Sequence, residues 1–425
     1  MRSPTRFLFL LCPVLTFTGC VDAPLGPADG STPDAAFAVA DAVLLGQHLF
    51  EDTNLSLNQN QSCRTCHEPS EGFAGALSGV TQLGSAIQGS VPGKFGARKP
   101  PSAAYATLAP AFTSGGGGSG GLFWDGRATG AILGSPAADQ ALGPFLNPVE
   151  QALPDAACVV YRVRNASYAN IYVATWNSEI NQIAFPANVD AVCATAVNQP
   201  GEYVGLSAAD RQRTTEAYHN IARSIAQFEA TFNRFSSRAD AGTMTAQEQE
   251  GLKLFGGKAK CQQCHTNKRA GALFTDFRFH NLGLPRNPAN VLFNYASGAF
   301  DAGLGGVTGS SSQIGRFRTP TTRNVAVGVN RTYMHNGVLT SLKQVVDFYN
   351  TRDVLRTCAA AEIAVLHPSQ YGSYDPDGPG PLTAARCWPP AEFALNVDTK
   401  QMGNLGLTDA QVDAIVAYMM AMSDN

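Results

Sequence analysis

The chain has 425 residues, of which 44% are hydrophobic and 15% charged, with a net charge of −3. That length allows two or more domains, each burying its own core. No basic cluster stands out, which excludes nucleic acid as an expected partner, and the weak acidic balance says little about others.

In chain order, Arg2 and Arg6 precede an apolar run from Phe7 to Phe17, too short to span a bilayer, and residues 1–19 read as an export signal. Thr18-Gly19-Cys20 puts a small residue before a cysteine, as at a lipoprotein processing site, although Phe17 stands where Leu is usual. A plain secretory signal is the alternative. Residues 20–36 read as a lipoprotein-type tether rich in Pro, Ala, Gly and Asp. The expected location is the periplasm or outer cell envelope, with a lipid anchor at Cys20.

Phe37 to Phe50 has helical spacing through Val39, Val43, Leu44 and Phe50, with His48 on a polar face. Cys63-Arg64-Thr65-Cys66-His67 follows, and Cys261-Gln262-Gln263-Cys264-His265 repeats its pattern. Cys-x-x-Cys-His is the attachment pattern of c-type haem: both thiols form thioethers and the histidine reaches the iron. Zinc would need two further ligands at matching spacing, and neither motif has such a pair nearby. Gly46-Gln47-His48-Leu49-Phe50 and Gly251-Leu252-Lys253-Leu254-Phe255, ahead of the two motifs, share Gly-x-x-Leu-Phe. This weak repeat suggests a duplicated haem unit.

Gly115 to Gly121, six glycines and a serine, reads as a flexible surface loop because no Gly-Lys-Ser/Thr follows. A helix is expected over 208–235, capped by Ser207 and buried through Tyr218, Ile221, Ile225, Phe228 and Phe232; His219 on it reads as a satisfied residue. A turn at Ala239 to Thr243 divides the chain into units 37–240 and 241–425, and Thr245 with Glu248 forms a capping box. Helices from Ser341 to Asn350 and from Asp409 to Met422 complete a mainly α fold with long loops. Setting aside Cys12, Cys20 and the haem motifs, four cysteines remain. The shorter closed loops favour Cys158–Cys193 and Cys358–Cys387, and an exported chain favours disulfides over free thiols.

Phe123-Trp124-Asp125-Gly126-Arg127, Gly143-Pro144 with Asn147-Pro148-Val149-Glu150, and Tyr333-Met334-His335-Asn336-Gly337 join the two haem motifs. Together these resemble the bacterial di-haem cytochrome c peroxidase family, which includes MauG, over roughly residues 40–422. The resemblance implies two cytochrome c-like haem domains carrying two covalently bound haem c. The N-terminal haem would meet hydrogen peroxide, and the C-terminal haem would relay electrons from a small cytochrome c or cupredoxin. No histidine lies between His67 and His219, so the distal histidine of many family members is missing and an open N-terminal iron is expected. By spacing from His335, the second C-terminal ligand position is Tyr349, as in MauG-like enzymes, with Met334 as its rival.

The family's acid/base glutamate has no counterpart in register; Asp139, one place later, is the candidate, with a turn cap as its alternative. The resemblance further implies Arg127, Arg318 and Arg323 as haem-propionate partners. It puts His335 near the C-terminal haem edge without binding iron, and Trp124 near the electron path. It also implies a calcium ion between the domains, with Asn330 and Thr332 at the corresponding places. A homodimer is a further candidate assembly. Three functions are compatible: a peroxidase; a MauG-like peroxide-dependent oxidase of a protein or small molecule; and a di-haem electron carrier or redox sensor.

Overall fold

The computed structural model describes residues 33–266, 271–290, 298–329, 331–372 and 385–425. The export signal, Cys20, most of the tether and Asn330 lie outside them. Seven helices carry the architecture: α1 (Pro33–Glu51), α2 (Pro136–Ala141), α3 (Ala156–Arg164), α4 (Ala208–Glu229), α5 (Ala246–Gly256), α6 (Leu342–Thr351) and α7 (Asp409–Ala421). Among the described residues, strands are limited to two-residue pairs: antiparallel β1 (Gln82–Leu83) with β2 (Ala86–Ile87), antiparallel β3 (Phe279–His280) with β4 (Phe317–Arg318), and parallel β5 (Arg356–Thr357) with β6 (Cys387–Trp388).

Local chemistry sets most helix ends. Ser207 accepts from Asp210 N at the start of α4, and the Thr245–Glu248 capping box starts α5 as expected. Ser341 caps α6. α1 begins at Pro33, so the last residues assigned to the tether are helical.

Two large hydrophobic cores form among the described residues, with a small third cluster at Ala109, Leu122, Ala128 and Ala137. Leu45, Leu49, Val160, Ile221 and Ile225 lie in one, and Leu254, Phe255, Val346, Ile415 and Met419 in the other. The Gly-x-x-Leu-Phe repeat has the same use in both. A Cβ on Gly46 would sit 2.0 Å from Ser224 O on α4, and one on Gly251 would sit 2.0 Å from Ala414 O on α7. In each unit a glycine lets the first helix cross the last backbone to backbone, and the following Leu-Phe packs beneath the crossing. The buried stripe of α1 is Ala42, Leu45, Leu49 and Phe50; of the positions marked from the sequence, Phe50 is buried and Val43 half-buried, whereas Val39 and Leu44 are exposed. His48 is exposed and stacks on Tyr168.

Disulfides Cys158–Cys193 and Cys358–Cys387 tie each unit's peripheral helices and loops, matching the pairing favoured by short loops. The glycine stretch departs from expectation. Gly115 and Gly116 have open surroundings, but Gly120 donates to Phe277 O and a Cβ on it would sit 2.4 Å from Ala111 O. Ser119 bridges Arg278. The second half of the stretch is therefore a packed joint between units, built on positive φ at Gly118, Gly120 and Gly121.

Candidate functional site

Each Cys-x-x-Cys-His motif forms a single short turn at the edge of a cavity. In the N-terminal motif, Ser62 and Thr65 cap the turn Cys63–Cys66, and His67 N returns to Cys63 O. His67 Nδ1 lies 2.8 Å from Phe73 O, and His265 Nδ1 lies 2.8 Å from Phe274 O. A carbonyl accepts, so Nδ1 carries the proton and Nε2 keeps its lone pair. Burial lowers both imidazole pKa values, which favours that neutral, ligating form. Both imidazoles line cavities along with their cysteines. Two thiols and an oriented imidazole nitrogen recur, one set per unit, and this donor set fits covalent haem attachment at each.

Around the N-terminal cavity stand Phe123, Trp124, Arg127, Gln140, Glu150 and Glu229. Among its described lining residues His67 is the only imidazole. Arg127 stacks on Phe123 at 3.6 Å from the ring centroid and pairs with Asp125 at 2.8 Å. Of the four carboxyls on this cavity, Asp125 and Asp301 are both held by Arg98 at 2.6 Å. Glu150 accepts from Asn147 Nδ2 at 2.8 Å, and burial raises its pKa. Glu229, near the end of α4, is 5% exposed, and burial pushes its carboxyl up to about 8. A neutral, proton-bearing carboxyl therefore faces the cavity at pH 7.

The C-terminal cavity is more apolar, lined by Leu284, Val346, Leu405, Ile415 and Met419. Tyr349 and Met334 both reach it. Burial, followed by the charges of Cys264 and Cys261, raises the Tyr349 phenol; those two thiols become thioethers on attachment. Arg318 on β4 is buried, lines this cavity, and pairs with no carboxylate among the described residues. Its guanidinium donates to Phe123 O at 3.3 Å, and burial pushes its pKa down to about 10. His335 stacks on Phe317 with centroids 3.4 Å apart, and its buried Nε2 has no partner. Burial lowers its pKa to about 3. An arginine without an anion and an imidazole nitrogen without a partner both fit the polar edge of a haem.

Three segments form the wall between the cavities: Lys99, Pro100, Pro101, Trp124 and Asp301 line both. Trp124 Nε1 donates to Lys99 O at 2.7 Å, and Arg318 N donates to Trp124 O at 2.8 Å. Trp124 thus touches both sites and is held by main-chain groups from both units. Arg98, which sequence reasoning passed over, forks between Asp301 of the second unit and Asp125 of the first.

Two expectations change. Asp139 accepts from Gly130 N, Ile132 N and Leu133 N at 2.7, 3.2 and 2.8 Å, and it lines neither cavity. Its carboxylate clamps the loop that enters α2, so the structure gives it to a turn and not to peroxide chemistry. Arg323 lines the C-terminal cavity but is bound bidentately by Asp240 at 2.8 and 2.7 Å and donates to Ala272 O. Its guanidinium also sits against Tyr105, Phe235 and Phe274, which leaves little for a propionate. Glu229 was missed because it reads as one more polar residue on an amphipathic helix. His280, also given no role, lies between Asp276 at 3.5 Å and Asp398 at 3.6 Å beside Cys264, and those carboxylates push its pKa up to about 11. Thr332 lines the C-terminal cavity, and Asn330, the other place the resemblance gives to calcium, lies outside the described residues.

A family model described as di-haem cytochrome c peroxidase matches residues 40–249. The chain is 32% identical over 415 residues to the methylamine utilization protein MauG of Paracoccus denitrificans, covering 94% of this chain and 92% of that one. It is 28% identical to the cytochrome-c peroxidase IdrP2 of Denitromonas iodatirespirans, covering 78% and 80%. Among solved structures, the diheme peroxidase BthA of Burkholderia thailandensis aligns with a TM-score of 0.66 at 26% identity, covering 90% of this chain and 86% of that one.

Proposed function

The chain belongs to the di-haem cytochrome c peroxidase family, and from that premise we propose that its N-terminal cavity reduces peroxide while its C-terminal cavity relays electrons. It is a di-haem oxidoreductase, with two haem c and hydrogen peroxide as its oxidant. When bound, the haems supply one-electron redox chemistry and, at the N-terminal site, an iron that takes peroxide. We assign Cys63, Cys66 and His67 to the first haem, and Cys261, Cys264 and His265 to the second, in units 37–240 and 241–425.

The observation that carries the reading is the pairing of two like thiol–imidazole sets across a wall shared through Trp124. Reducing one peroxide to two waters takes two electrons and two protons. Glu229 is the proton-bearing carboxyl of the first cavity, poised to give its proton to the departing oxygen and be reprotonated from solvent. Glu150 is the second carboxyl within the same space. With His67 as the lone imidazole among the described lining residues, no second histidine there would compete with peroxide for a bound iron. Arg318 and Arg127 would hold propionates, and His335 would hydrogen-bond at the second haem's edge.

Electrons come from a small cytochrome c or cupredoxin and cross by way of Trp124. The second reading, a MauG-like oxidase acting on a protein or small molecule, draws support from Tyr349: a phenolate ligand suits storage of oxidising equivalents. We place the protein in the periplasm or outer envelope, as its two disulfides support. Among the described residues no helix is long and apolar enough to cross a membrane. The lipid anchor at Cys20 lies outside those residues.

Stopped-flow mixing of the ferric protein with peroxide, with and without a reduced small cytochrome, tests the assignment. Rapid donor oxidation supports the peroxidase. A long-lived oxidised species without donor supports the MauG-like reading. Failure to react with peroxide at all overturns both and leaves an electron carrier.

A further inference from the structure

The wall between the cavities contains a cation of its own. Lys99 Nζ donates to Ala74 O and Pro100 O. Glu71 faces it electrostatically, while burial lowers the ammonium pKa to about 8. At pH 7 the group is still charged. The main chain of the same residue is bonded on both sides: Lys99 N donates to His335 O at 2.9 Å, and Lys99 O accepts from Trp124 Nε1 at 2.7 Å. Ala74 follows Phe73, whose carbonyl orients His67. One residue therefore joins the loop that orients the first histidine, the tryptophan of the wall, and the histidine at the edge of the second cavity.

The family resemblance calls for a calcium ion between the domains, near Thr332. Thr332 lines the C-terminal cavity together with Lys99, Glu71 and Ala74. Calcium needs six to eight oxygen ligands. Here two carbonyls of the wall already accept from an ammonium, and a divalent ion beside it would face like-charge repulsion. Among the described residues, the oxygens around Lys99 do not fit calcium.

We propose that the Lys99 ammonium is the resident cation of the inter-haem wall, a positioning residue standing where the family holds a divalent metal. The proposal rests on the two-haem reading, but its primary test does not depend on turnover. Calcium content is measured on the holoprotein by mass spectrometry, and absorption and EPR spectra are recorded before and after a calcium chelator. The expected result is no stoichiometric calcium and unchanged spectra. Lys99→Met, with both haems still attached by the pyridine haemochrome assay, is expected to alter the spectrum of the His67 haem. It should slow peroxide turnover by about 10–100-fold, the scale of a misplaced reacting group. Lys99→Arg should restore the wild-type spectrum. One calcium per chain whose removal changes the haem spectra would overturn the proposal, and so would a Lys99→Met protein with wild-type spectra. A protein inert to peroxide but free of calcium, with a Lys99-sensitive spectrum, would sink only the peroxidase reading.

Discussion

Replacing Glu229 with Gln keeps the shape of a buried side chain and removes its titration. In the folded protein burial raises this carboxyl from 4.5 to about 8. The folded state therefore holds a proton that the unfolded chain releases above about pH 4.5. The sign follows from linkage: the stability attached to the neutral carboxyl is fully present below pH 4.5 and is lost as pH rises through about 8. At about 1.4 kcal/mol per pH unit the ceiling on that loss is about 5 kcal/mol, and we expect ~2–5 kcal/mol. Glu229→Gln should match wild type near pH 5 and become progressively more stable than it toward pH 8.5. Denaturant unfolding of the holoprotein across that range measures the difference. The same substitution removes the proposed proton donor, so the peroxide reaction should slow by about 10²-fold or more and lose its alkaline limb. Parallel stability–pH curves for the two proteins would refute the burial argument. An unchanged peroxide rate would refute the catalytic one.

Gly251→Ala drives a Cβ to 2.0 Å from Ala414 O, and the crossing of α5 and α7 must open. A loss of about 2–4 kcal/mol is expected by chemical denaturation, above the usual overpacking range because the obstacle is backbone. Tyr349→Phe should leave haem attachment intact and change the visible and EPR spectra of the second haem if the phenol ligates it; identical spectra would return the position to Met334. Opening Cys158–Cys193 with a double Ser substitution releases a loop of 35 residues and should lower stability by about 3 kcal/mol, read as a lower thermal midpoint.

The chain by itself determined what depends on neighbours in sequence. Two Cys-x-x-Cys-His turns, the caps at Ser207, Thr245 and Ser341, the helices they start, and the disulfide pairing are all decided by spacing, local hydrogen bonding or loop length. The repeated Gly-x-x-Leu-Phe was visible too, but its meaning was not. Only the packed units show that each glycine is the crossing point of two helices more than 150 residues apart.

Tertiary structure decided the roles of charged and polar groups, because a carboxylate or a guanidinium is defined by what it faces. Asp139 and Glu229 look alike in a string of letters. One meets three backbone N–H groups and is consumed by a turn, whereas the other meets a cavity and no hydrogen-bond donor that would hold it ionised. Arg323 and Arg318 part in the same way, the first bound by Asp240 and the second with no carboxylate partner among the described residues. Lys99 had no sequence signature at all; its place between the two cavities exists only once the two units fold against each other.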